Sequence, residues 1–205
     1  MSSAHAILYD CEFLTAPGAP TRFWCGPNDP DQVIAQIGAA KLSLTAPFEI
    51  LDTFRVLVTP PDRANKPVVL DPLFVRLTGI TQDDLDANGL PLGQALDELD
   101  EFSDAATLWS WGKDEFNMIA ISCYAAGIAP PMPITRFDNA CHLLLKAGMP
   151  LEDLHQTRSN TLSKYYDIDH PPVQAHDALG DALCVTYTLQ HLLRQGALSA
   201  QAFSS

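Results

Sequence analysis

Residues 6–14 read AILYDCEFL, and two acids two positions apart, Asp10 and Glu12, interrupt an otherwise apolar strand-like run. On a β-strand, side chains at i and i+2 share a face. Two carboxylates on one face of an apolar strand repel each other and lose hydration. A divalent cation between them resolves both costs. A strand whose acids face solvent satisfies the same pattern, so D-x-E alone does not decide the chemistry.

The second informative stretch is residues 177–194. Ala178, Ala182, Val185, Leu189 and Leu192 form an apolar helical stripe, and Asp181 lies beside it. An inward carboxylate needs a partner or a cation. Asp177 suits the N-cap, and His176 precedes it, over the same helix end as Asp181. A third element follows a strand expected at 107–111. There Asp114 opens a helix over 113–126 that stops at Gly127, and an acid in the first turn also suits the helix dipole. Glu115 is the neighbouring candidate.

Two cations roughly 4 Å apart activate a water and stabilise a leaving oxygen in phosphodiester hydrolysis. Hard ions such as Mg²⁺ take oxygen ligands, and histidine accepts a proton near neutral pH. Asp10, Glu12, Asp114, Asp181 and His176 meet that specification.

Between these pieces, further strands are expected at 21–25 and 47–59, a helix at 92–102, a strand or helix at 137–147 and a short helix at 161–167. Strands first and helices later, with one strand between them, point to a mixed sheet covered by helices. The 205 residues suit one domain, 1–205 with a core at about 6–193. Five cysteines without a CxxC pair argue against a disulfide framework or structural zinc. No apolar run suits a bilayer and no secretory signal precedes the first strand, which points to a cytoplasmic protein without a membrane partner. The formal charge of −13 argues against wrapping many phosphates but permits a grip on a few terminal nucleotides.

YDCEF, WGKDEFNMI and HDALGDAL, in that order, resemble the three motifs of the DEDDh (DnaQ-like) 3′→5′ exonucleases, a family that includes the polymerase III proofreading subunit, ribonuclease T and oligoribonuclease. LTGIT (77–81) and TLSKYYDI (161–168) resemble two further family segments. The resemblance implies an α/β, ribonuclease H-like fold: a mainly five-stranded mixed sheet with helices on both faces. It implies two Mg²⁺ or Mn²⁺ ions held by Asp10, Glu12, Asp114 and Asp181, with His176 as general base. It places Cys11, Phe13, Leu14, Leu77 and Ile80 against the substrate. The substrate it implies is the 3′ end of single-stranded RNA or DNA, released as nucleoside 5′-monophosphates, and dimers are common in the family. The second motif departs from the family's frequent H-N-x-x-F-D, so Asp114 and Glu115 both stand as its ligand. Asp177 adds an acid where a basic or small residue is frequent. Two other functions fit the sequence: a non-cleaving nucleic-acid or protein-binding module on this fold, and a phosphodiesterase for very short oligonucleotides.

Overall fold

A computed structural model describes residues 4–63 and 66–204. Strand β1 (His5–Phe13) lies at the centre of the sheet. On one side it pairs antiparallel with β2 (Ile34–Ser43), which pairs antiparallel with β3 (Ile50–Leu57). Helices α1 (Pro72–Thr78), α2 (Gln82–Asn88) and α3 (Leu92–Ser103) follow. The chain then returns parallel to β1 as β4 (Leu108–Ser110). After α4 (Asp114–Ala126), β5 (Phe137–Asn139) extends the sheet parallel to β4. Helices α5 (Ala140–Lys146), α6 (Leu151–Gln156), α7 (Leu162–Tyr165) and α8 (Ala178–Arg194) complete the chain. The sheet order is β3-β2-β1-β4-β5, the mixed five-stranded arrangement expected for a ribonuclease H-like fold.

The period-2 alternation of β1 divides its side chains between two cores. Ala6 and Leu8 pack with Leu42, Trp109, Leu143, Val185 and Leu189, under α5 and α8. Ile7, Tyr9 and Cys11 pack with Ile37, Ala39, Leu96, Leu99 and Ile119, under α3 and α4. Both faces are therefore covered by helices. No helix among the described residues is long and apolar enough to cross a membrane.

Two sequence expectations change. Residues 21–25 do not form a strand: a 3-10 turn occupies Pro20–Arg22, and Phe23 and Trp24 are left-handed. The second strand is instead Ile34–Ser43. All but two of its side chains are buried, so the apolar/polar alternation that marks a half-exposed strand is missing. The 137–147 segment divides into a strand and a helix, β5 and α5. LTGIT is a helix junction, in which Gly79 closes α1 at φ 76° and Thr81 caps α2 through reciprocal bonds with Asp84.

Candidate active site

Asp10 and Glu12 share the parity of Leu8, so they project from the α8 face where the strand runs out of core. Asp10 stands in register with Gly38 of β2, and Gly38 with Arg55 of β3. Gly38 is what brings α8 to this row. A Cβ there would lie 2.1 Å from the Leu179 backbone nitrogen and 2.3 Å from the Ala178 carbonyl carbon. Only the missing side chain lets the helix N-terminus descend onto the sheet beside Asp10.

Two of the first N–H groups of α8 find side-chain acceptors. Ala178 donates its N–H to Gln36 Oε1 at 2.8 Å, and Gly180 donates to Asp177 Oδ2 at 3.1 Å, the expected N-cap. Arg55 holds the other oxygen of Asp177 at 2.6 Å, so the extra acid next to His176 is charge-paired. Gly180 permits a second close approach, since a Cβ there would meet the Gln174 carbonyl oxygen at 2.2 Å. That folds the loop carrying His176 over the helix end. His176 is exposed and left-handed, at φ 57°. A non-glycine residue in this region marks a constrained position.

Helix geometry thus delivers Asp181 and His176 to the acids of β1. Glu12, His176 and Asp181 each offer a ligand atom, and these atoms lie within 4.8 Å of one another. Asp10 is buried behind them.

The second motif is filled in space by Glu115. Its side chain is buried close to Asp10, and after desolvation its charge is what raises Asp10 most. Asp114, one residue earlier on α4, is exposed and lines a separate groove with Phe13 and Trp24. Adjacent helical positions point about 100° apart, which is why a one-residue difference in register separates the site from its rim.

The acids crowd together, and burial raises all four, His176 offsetting part of the rise at Asp181. Asp10 is pushed well above the usual carboxylate range by desolvation, then by the charges of Glu115, Glu12 and Asp181. Desolvation, followed by the charges of Asp181 and Asp177, moves Glu12 to about 8. Glu115 rises to about 7 and Asp181 to about 6, again through desolvation first. Glu115 Oε2 and Asp181 Oδ1 are buried without a hydrogen-bonding partner. Orphaned carboxylate oxygens in a cluster of raised acids are the setting that a hard divalent cation satisfies, so the residues present fit such an ion.

The expected substrate-contacting side chains separate into two groups. Phe13 lines the groove beside the acids, and Leu77 is 40% exposed. Cys11, Leu14 and Ile80 are buried: Cys11 in the core under α3 and α4, the other two with Phe74 and Leu85. Gln36, Gly38 and Arg55 lie on the strand that the sequence pattern did not reveal and on its neighbour. A glycine inside an apolar run was the one signal for them.

No family model matches the chain, and no curated relative matches it in sequence. Solved structures do. The nuclease domain of 3′hExo, a DEDDh family member bound to rAMP, superposes with a TM-score of 0.76 at 19% identity, covering 95% of this chain and 94% of that one. Cell-death related nuclease 4 (CRN-4) gives a TM-score of 0.69 at 17% identity over 95% of this chain and 65% of that one. The zinc-bound E. coli ExoI–ssDNA complex gives 0.59 at 18% identity over 95% of this chain but 41% of its own length. The fold is that of the DnaQ-like, DEDDh exonucleases.

Proposed function

We propose that the chain is a metal-dependent 3′→5′ exonuclease that hydrolyses the terminal phosphodiester bond of a single strand and releases nucleoside 5′-monophosphates. The observation that carries this reading is the convergence of Glu12, His176 and Asp181 within 4.8 Å, with Asp10 and Glu115 buried beside them. That solved structures sharing its fold are nucleases supports the reaction class.

In this reading Asp10, Glu12, Glu115 and Asp181 hold two divalent cations, Mg²⁺ or Mn²⁺. When bound, these supply a polarised attacking water and charge compensation at the leaving 3′ oxygen. Asp10, which senses the charges of Glu115, Glu12 and Asp181, would serve both halves of the site. A ring nitrogen of His176 accepts the proton of the attacking water. Its exposed, left-handed position holds the imidazole at the mouth of the cluster. The P–O3′ bond breaks as the new P–O bond forms, and the shortened strand leaves with a free 3′ hydroxyl. A hard cation prefers oxygen donors, which leaves the imidazole free for proton transfer. The formal charge of −13 favours a grip confined to a few terminal nucleotides.

The test is cleavage of matched RNA and DNA single strands, about 2 and about 20 nucleotides long, labelled at the 5′ end, with Mg²⁺ or Mn²⁺. Stepwise shortening of the labelled strand with release of mononucleotides is expected. Intact strands in both metals refute the proposal. Cleavage confined to the two-nucleotide substrates would instead identify a phosphodiesterase for very short oligonucleotides.

A further inference from the structure

The connection from α7 to α8, residues 166–177, carries His176 and is fastened along its length. His170 is half-buried in its middle. Its ring lies flat on Tyr187 of α8, with centroids 4.9 Å apart and planes 12° from parallel. Its Nε2 is 2.8 Å from the Oγ of Ser163, a buried residue of α7, and its Nδ1 is 2.7 Å from the Pro171 carbonyl oxygen. Ser163 in turn accepts the thiol of Cys184 on α8 at 3.2 Å. A carbonyl oxygen only accepts, so Nδ1 carries the ring proton. Nε2 of the neutral ring is then an acceptor, and the Ser163 hydroxyl donates to it. The bonds therefore run in one direction, from the Cys184 thiol through Ser163 and His170 to the backbone of the connection.

The residues after His170 pass its placement on. Pro171 and Pro172 have φ fixed by their rings. Val173 packs against the core under α5 and α8, and the Gln174 carbonyl oxygen lies 2.2 Å from where a Gly180 Cβ would stand. His176 comes two residues later, left-handed at φ 57° and exposed, so its place depends on the backbone on either side of it. Asp177 fixes the far side by capping α8. The helix that receives His170 also holds Asp181, with Cys184 and Tyr187 roughly one and two turns further along it. One rigid element thus sets both the inward acid and the strap that brings the histidine to it.

We infer that His170 is a positioning residue: through Ser163, Cys184 and Tyr187 it ties the strap carrying His176 to α8, and so fixes where the His176 ring stands relative to Asp181 and Glu12. The inference rests on the reading above that His176 accepts the proton of the attacking water. His170 touches neither the carboxylate cluster nor His176 and acts only through the segment between them.

The tests use the full chain. His170→Ala is expected to lower kcat on labelled single strands by about ten- to a hundredfold, as loss of a group that orients an active-site side chain does, with KM within about twofold of wild type. The rise in Tm on adding Mn²⁺ should be retained, because the carboxylates are untouched. His170→Gln, whose carboxamide oxygen accepts from Ser163, is expected to recover most of the lost rate. Ser163→Ala breaks the same bond from the other side, and the double variant His170→Ala/Ser163→Ala should be no slower than the slower single one. Wild-type kcat in His170→Ala, a His170→Gln no better than the alanine, or losses that add in the double variant each overturn the inference. Two measurements do not depend on cleavage. Imidazole ¹⁵N shifts at about pH 8 are expected to place the His170 proton on Nδ1, and a ring protonated on Nε2 overturns the bonding scheme. Hydrogen exchange in the peptide over residues 168–177 should quicken by about tenfold or more in His170→Ala and slow again in His170→Gln, and unchanged exchange overturns the strap. If the wild type cuts no strand while both of these results hold, the strap stands and the nuclease reading falls. If strands are cut and His170→Ala cuts them as fast, the nuclease reading stands and the role of His170 falls.

Discussion

Replacing Glu115 with glutamine keeps the shape of the side chain and removes its charge, and the structure sets the size of the effect. Burial holds the Glu115 carboxyl at about 7 against an ordinary 4.5, which corresponds to about 3 kcal/mol between folded and unfolded states. As pH rises from 4.5 to 7, the unfolded chain gives up this proton before the folded one does. Fewer protons are then bound in the unfolded state, so stability falls with rising pH. The contribution is fully present below about pH 4.5 and is lost as pH rises through 7. Glu115→Gln removes that fall. In EDTA, the mutant's stability relative to wild type should therefore be up to about 3 kcal/mol more favourable at pH 8 than at pH 4.5. For a chain of this length that is about 6 °C or more in Tm. Saturating Mn²⁺ should close most of that gap. The wild type gains about 2.7 kcal/mol at a hundredfold excess over Kd, and Glu115→Gln gains much less. Cleavage by Glu115→Gln should fall by about a hundredfold or more, the equivalent of several kcal/mol of lost charge stabilisation. Thermal unfolding at the two pH values, with EDTA or Mn²⁺, reads out the first two effects. Asp114→Asn is the matched control and should retain the metal-induced rise. If Asp114→Asn loses that rise and Glu115→Gln keeps it, the assignment of Glu115 to the cation site is wrong.

His176→Ala should lower kcat by about 10² to 10⁴-fold, the usual contribution of a positioned base, while near-wild-type turnover on labelled strands would remove His176 from proton transfer. Gly38→Ala inserts a Cβ 2.1 Å from the Leu179 backbone nitrogen, so it should cost about 1–3 kcal/mol or more in denaturant unfolding and reduce cleavage, by lifting the start of α8 off the sheet. Arg55→Ala breaks the 2.6 Å pair with Asp177. Because Arg55 is more than half exposed, stability should change by no more than about 1 kcal/mol, but the uncompensated Asp177 should raise KM for oligonucleotides, and an unchanged KM would show that this charge is not sensed.

Much of the site is readable before folding. AILYDCEFL carries both the apolar run that makes β1 a buried strand and the two acids that its pleat aligns. The stripe around Asp181 is strong enough to turn that acid inward. What sequence pattern could not reveal has physical reasons. β2 is buried along nearly its whole length, so its lack of alternation hid it, and Gln36 and Gly38 with it. The expected strand at 21–25 has suitable aromatic residues, but its backbone is turned by left-handed residues that no local propensity favours. The choice between Asp114 and Glu115 depends on where α4 begins, and helix starts are the least certain boundaries in any pattern.

The contact between Gln36 and Ala178 joins residues 142 positions apart. A chain emerging from the ribosome releases Asp10 and Glu12 first, and His176 and Asp181 follow more than 160 residues later. Until α8 drops into the notch over Gly38, Asp10, Glu12 and Glu115 lack His176 and Asp181. On the proposed activity, competence would thus arise only once α8 has been made and docked, more than 160 residues after the first two acids.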